Sequence, residues 1–133
     1  MEQQRSKPLS ILIVEDDLAA GEIISRMIGL QYPDAALHFA EDGVAGEELF
    51  RKHLPGIVVT DIGMPAKNGI EMAREIKTVQ PATKIIVLSA YGDPVFQEQC
   101  REIGIAAYLR KPLDLDQLLA AVAACSAEIG QAT

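Results

Sequence analysis

The sequence predicts an α/β domain in which a parallel sheet carries helices on both faces. Three observations point there. Five short apolar runs, three of them rich in β-branched residues, alternate strictly with five stretches of helical periodicity. The runs at 11–14, 57–60 and 85–88 are apolar without alternation, the pattern of strands buried on both faces. A chain of 133 residues has the size of one domain, commonly about 100–150 residues.

Residues 1–9 read as a mobile lead-in. Ile11-Leu12-Ile13-Val14 is the first strand, ended by Glu15, Asp16 and Asp17. Ala20, Ile23, Ile24, Met27 and Ile28 recur at helical spacing, which predicts an amphipathic helix over 17–30. Asp17 is its N-cap and Tyr32-Pro33-Asp34 its stop. Leu37-His38-Phe39-Ala40 alternates, as an edge strand with one partly wet face does. Asp42-Gly43 turns the chain into a second helix over 44–53, with Ala45, Leu49 and Phe50 inside, closed by Leu54-Pro55-Gly56.

Ile57-Val58-Val59-Thr60 is the third strand, and Asp61 stands at its end. A loop over 62–68 leads to a third helix with Met72, Ile76 and Val79 on its inner side, and Pro81 just beyond it. After the fourth strand, 84–88, Asp93-Pro94 starts a helix: an N-cap, then a proline where its missing N–H costs nothing. Phe96, Cys100 and Ile103 continue it, and Gly104 supplies a left-handed end. Residues 106–109 form the fifth strand. Asp114 with Gln117 resembles a capping box, and Leu115, Leu118, Leu119, Val122 and Ile129 line the last helix. Met27 and Met72 read as core. His38 and His53 read as surface residues without a partner.

Composition narrows the function. A net charge of -7 and a pI near 4.7 repel phosphate-rich partners, which argues against nonspecific nucleic-acid or anionic-membrane binding. No apolar run approaches the roughly 18–20 residues of a membrane span, and the polar N-terminus lacks the apolar segment of a signal peptide. The expected compartment is the cytoplasm. Cys100 and Cys125 have no metal or redox spacing and read as buried free thiols.

In parallel α/β sheets, ligands sit at the carboxyl ends of the strands, where strand order reverses. The acids after the first strand, Asp61 after the third, Ser89 after the fourth and Lys111 after the fifth all fall on that edge. Three carboxylates there repel one another unless a hard cation sits among them. Mg²⁺ takes oxygen ligands and is commonly held by one or two carboxylates plus a phosphate. Glu15, Asp16 and Asp61 supply such oxygens, Lys111 an ammonium and Ser89 a hydroxyl. That set suits stabilisation of a phosphoryl group in transfer, with Asp61 as the covalent acceptor. Asp17 reads as a cap alone.

The motifs ILIVEDD, VVTDIGMP, IIVLSAYGD and YLRKPL, in that order, resemble those of a response-regulator receiver domain over residues 10–129. The resemblance implies a flavodoxin-like doubly wound (βα)5 domain with sheet order 2-1-3-4-5. It also implies roles. Asp61 matches the phosphorylated aspartate, Asp16 the direct metal ligand, and Glu15 the acid that reaches Mg²⁺ mainly through water. Gly63 matches the backbone-carbonyl ligand, with Mn²⁺ as a substitute ion. Lys111 matches the lysine that pairs with the phosphoryl group, Ser89 the mobile hydroxyl and Tyr108 the aromatic switch. Gly63 and Tyr91 occupy positions that govern water access to the phosphoryl group, and a cis peptide is common before the proline matching Pro112.

On this reading the chain is a signalling switch in a two-component system or phosphorelay, catalysing only its own phosphotransfer and dephosphorylation. The phosphoryl donor is a histidine kinase or histidine phosphotransfer protein. A downstream protein meets the face of the fourth helix, fifth strand and fifth helix, and a homodimer can form with phosphorylation. Residues 130–133 read as a tail, and no effector domain is expected; the chain is a stand-alone receiver or one cut from a larger regulator or hybrid kinase. Three alternatives compete. A Mg²⁺-dependent phosphatase with an aspartyl-phosphate intermediate needs an acid two residues after Asp61, where Gly63 stands. A flavodoxin-like cofactor binder needs a Gly-rich phosphate loop after the first strand, where three acids stand. A phosphorylation-independent pseudo-receiver lacks site residues that are all present here.

Overall fold

The computed structural model describes residues 9–63, 68–90 and 94–131. The Asp93 cap and Tyr91 lie outside these described residues. Five strands alternate with five helices: β1 (Ser10–Val14), α1 (Leu18–Gln31), β2 (Ala36–Ala40), α2 (Gly43–His53), β3 (Ile57–Asp61), α3 (Gly69–Val79), β4 (Lys84–Ser89), α4 (Pro94–Ile103), β5 (Ala107–Arg110) and α5 (Leu115–Gln131). The strands form one parallel sheet of order β2-β1-β3-β4-β5.

The apolar runs that lack alternation divide between two cores, because successive side chains point to opposite faces. Leu12, Val14, Val58, Ile85 and Val87 pack with Phe50 of α2, Met72 and Ile76 of α3, and Cys100 of α4. Ile11, Ile13, Ile57, Val59, Ile86 and Leu88 pack with Ile24 and Ile28 of α1 and Leu118, Val122 and Cys125 of α5. Both cysteines are free and buried, as their helical positions predict.

Caps set the helix starts. Asp17 accepts from the Ala20 N–H and Asp42 from the Ala45 N–H. Asp114 accepts from the N–H groups of Asp116 and Gln117. A reciprocal capping box stands at α3: Asn68 Oδ1 accepts from the Glu71 N–H at 2.9 Å, and Glu71 Oε1 from the Asn68 N–H at 3.3 Å. Gly104 follows α4 at a φ of +87°, the left-handed end its position predicts.

Three expectations are corrected. Ile23 is 53% exposed and Met27 half-buried, because the inner face of α1 narrows to Gly21, Ile24 and Ile28. Val79 is the last residue of α3 and stays exposed, since the helix ends before the stripe of Met72 and Ile76 completes another turn. His38 and His53 are not solitary surface residues. Their rings stack with centroids 3.9 Å apart, and His38 is half-buried. The end of α2 lies beside edge strand β2, a meeting that fifteen residues of separation conceal.

Burial of His38 beside His53 is expected to make stability pH-dependent. Burial, and then the charge of His53, hold His38 below its ordinary value of 6.5. The unfolded chain therefore binds the proton more readily, so stability is intact above the ordinary value and falls as pH drops through it towards the folded value. Urea melts between about pH 7.5 and about pH 5.5 should show this loss in the parent chain and a smaller one in His38→Gln.

Candidate functional site

Sheet register assembles the site. Val14 pairs with Thr60, so Glu15 and Asp61 leave the sheet side by side. Asp61 pairs with Leu88, and Ser89 with Arg110, so Lys111 follows at the same edge. Alternation then sorts the side chains. Glu15, Asp61 and Lys111 share the parity of Ile13, Val59 and Leu109, on the α1 and α5 face. Ser89 shares the parity of Val87 and Tyr108, on the α2, α3 and α4 face. Acids and ammonium thus meet, while hydroxyl and tyrosine fall to the other side of the strand ends.

The contacts follow this sorting. Lys111 Nζ donates to Asp61 Oδ2 at 3.1 Å and to Glu15 Oε1 at 3.2 Å. Glu15 Oε2 accepts from the Asp17 N–H at 3.1 Å, and Asp61 Oδ1 from the Gly63 N–H at 3.4 Å. Glu15 is 1% exposed and Asp61 8%, whereas Asp16 and Gly63 face solvent. Carboxylate oxygens of Glu15, Asp16 and Asp61 lie within 4.8 Å of one another.

These neighbours shift the titrations. Burial, the strongest influence, raises the Glu15 carboxyl above its ordinary value, and the charge of Asp61 adds to the rise. The Asp17 N–H and Lys111 pull it back without reversing it. Burial would lower Lys111, but the hydrogen bond and charge of Asp61, and then those of Glu15, outweigh it and raise the ammonium. Three clustered carboxylates, two of them paired with one lysine, thus form an anionic set of hard oxygen donors. That chemistry fits a divalent cation of the Mg²⁺ kind.

Ser89 is buried at the end of β4, and its carbonyl accepts from the Lys111 N–H at 2.8 Å. Tyr108 is half-buried against the core that holds Cys100. The Lys111–Pro112 peptide is cis. A cleft of about 410 Å³ opens beside Glu15 and Lys111, walled by Ala20, Ile23, Leu113 and Leu115.

Sequence reasoning passed over Asn68, Gly69 and Thr60. Asn68 followed three residues later by Glu71 is a capping signal that was legible. Nothing in the sequence marks Thr60, whose Oγ1 donates to the Asp61 carbonyl at 3.0 Å.

Three carboxylates and one lysine on the edge of a (βα)5 sheet define the class of receiver modules. The chain belongs to the response regulator receiver domain family, whose profile matches residues 11–123. It is 31% identical over 121 residues to the transcriptional regulatory protein DegU of Brevibacillus brevis, covering 91% of this chain and 51% of that protein. The chain spans about half the length of the curated relatives it matches. Among solved structures, the N-terminal domain of an uncharacterized protein from Wolinella succinogenes is 35% identical, with a TM-score of 0.85 over 93% of this chain and 98% of that one. A CheY-like receiver domain protein from Methanospirillum hungatei JF-1 shares the fold, at 21% identity and a TM-score of 0.88 over 96% of this chain and 100% of that one. No helix among the described residues is long and apolar enough to cross a membrane.

Proposed function

We propose that the chain is a phosphorylation-driven switch in which Asp61 accepts a phosphoryl group from a phosphohistidine donor in the presence of Mg²⁺. The observation that carries this reading is the convergence of Asp61, Glu15 and Lys111 from three strand ends at hydrogen-bond distance. Glu15, Asp16, Asp61 and the Gly63 carbonyl would hold Mg²⁺, or Mn²⁺ in its place. The bound cation supplies charge stabilisation for the oxygens of the group in transfer.

An Asp61 oxygen bonds to phosphorus as the donor's P–N bond breaks, and the imidazole leaves neutral, keeping the proton on its other nitrogen. Lys111 pairs with one phosphoryl oxygen, and the Ser89 hydroxyl with another. Drawing Ser89 towards the phosphoryl group vacates space on the face it shares with Tyr108, whose ring turns inward. Phosphorylation thereby biases a two-state equilibrium read at the α4, β5 and α5 face. Gly63 and Tyr91 govern water access, and hence the lifetime of the acyl phosphate. Catalysis by the chain is confined to its own phosphotransfer and hydrolysis.

The unit extends over 10–129 and works in the cytoplasm. Its donor is a histidine kinase or histidine phosphotransfer protein, and its target a protein, with a phosphorylation-linked homodimer as one output. The charge of -7 disfavours direct contact with nucleic acid. In a longer protein of the DegU kind this domain would be the input.

Incubation with a small acyl phosphate donor and Mg²⁺ tests the reading. Intact mass is expected to gain one phosphoryl group, and the gain to disappear with a chelator. A chain that stays unmodified while Mg²⁺ is bound would defeat it.

A further inference from the structure

The peptide that follows the acceptor is held by contacts outside the acid cluster. A Cβ built on Gly69, the first residue of α3, would lie 2.4 Å from the Asp61 carbonyl oxygen and 3.1 Å from Ile62 Cα. Both are backbone atoms, so an added methyl group has no flexible side chain to push aside. Gly69 also donates its N–H to the Ile62 carbonyl at 2.9 Å, which ties the start of α3 to the residue after Asp61. From the strand side, Thr60 Oγ1 donates to the same Asp61 carbonyl at 3.0 Å, and the Ile62 N–H donates to the Leu88 carbonyl at 3.0 Å. The capping box of Asn68 and Glu71 fixes where α3 begins, and so where Gly69 sits. Thr60 is fully buried and Gly69 buried, so neither contact competes with water.

We propose that Gly69 and Thr60 are positioning residues for the acceptor: by clamping the Asp61–Ile62 peptide between α3 and β3, they set where the Asp61 carboxylate and the Gly63 carbonyl stand. Neither residue touches the cation or the phosphoryl group. A displaced peptide moves two oxygen donors together, so cation affinity and phosphoryl uptake fall in step. The inference rests on the phosphoacceptor reading above.

The test compares Gly69→Ala with Gly21→Ala in the full chain. A Cβ on Gly21 would meet the Phe39 ring at 2.2 Å, a side-chain clash between α1 and β2. Mg²⁺ affinity, the rate of phosphoryl uptake from a small acyl phosphate and the melting temperature are measured on each. Gly69→Ala should lose about 10- to 100-fold in both affinity and rate, the scale of a reacting group misplaced by a fraction of an ångström to one ångström. Gly21→Ala should lose melting temperature with both unchanged. If Gly69→Ala does not fold, Thr60→Val, which keeps the β-branched shape and removes the hydroxyl, decides: a several-fold loss of both supports the clamp. Parental affinity and rate in a folded Gly69→Ala, or in Thr60→Val where that variant decides, would overturn it while leaving the phosphoacceptor reading standing. A parent chain that takes up neither Mg²⁺ nor phosphoryl group sinks both.

Discussion

Asp61→Asn is expected to take up no phosphoryl group from any donor, while folding at least as stably as the parent chain. Loss of uptake follows from the chemistry: an amide oxygen is a poor nucleophile, and Glu15 points its oxygens at Lys111 and the Asp17 N–H. The fall in rate should exceed about 1,000-fold, beyond what removal of one stabilising hydrogen bond produces. Retained stability follows from electrostatics. The charge of Asp61 opposes ionisation of Glu15, which is 1% exposed, so neutralising Asp61 relieves a repulsion between two buried acids. Lys111 keeps Glu15 as its partner. Intact mass after donor treatment and a thermal melt without metal check both halves.

Lys111→Met is expected to act in the opposite sense on stability and to make the fold lean on divalent cation. The ammonium holds two carboxylates at 3.1 and 3.2 Å, and its loss leaves them facing each other. Breaking a largely buried pair by removing one partner costs about 3 kcal/mol, and proton uptake by Glu15, whose carboxyl is already raised, returns part of it. A net loss of about 2 kcal/mol lowers Tm by roughly 6–10 °C for a chain of this size. Added Mg²⁺ should restore more of that loss than it adds to the parent, since the competing cation has gone and binding to the folded state alone stabilises it. Phosphoryl uptake should slow by about 100-fold for want of the ammonium on the transferring oxygens. Melting curves with and without Mg²⁺, on parent and variant, separate the two effects. In the parent, the raised Lys111 ammonium keeps its contribution at neutral pH and loses it only as pH climbs above its ordinary value of 10.5.

Much of this was legible in the sequence for a definite reason. The three apolar runs without alternation declare strands buried on both faces, and five strand runs separated by helical periods leave few topologies. Once the strands are parallel, residues that end them share one edge, so Glu15, Asp61, Ser89 and Lys111 are neighbours before any coordinate exists. Strand order came from resemblance, because periodicity says nothing about which strand lies beside which. Alternation could also have separated Ser89 and Tyr108 from the acids, but only with the register of β4 against β5 in hand.

What stayed hidden depends on contacts between distant elements. The stack of His38 on His53 forms because the last turn of α2 ends beside the edge strand, and no spacing rule covers that pair. Ile23 lies at a cleft between α1 and the segment after β5, which helical periodicity cannot foresee. Gly69 carries no side chain to read, and its meaning appears only as the 2.4 Å between an imagined Cβ and the Asp61 carbonyl.

The most direct test locates the phosphoryl group itself. An acyl phosphate is reduced by borohydride to the alcohol, which converts the modified aspartate to homoserine and marks it permanently. Peptide mapping of the Mg²⁺- and donor-treated chain after reduction is expected to find homoserine at position 61 and at no other acid, with Asp16 intact. Homoserine at Asp16 with Asp61 unmodified, or a phosphoryl group retained on His38 or His53, would contradict the assignment of Asp61 as the acceptor.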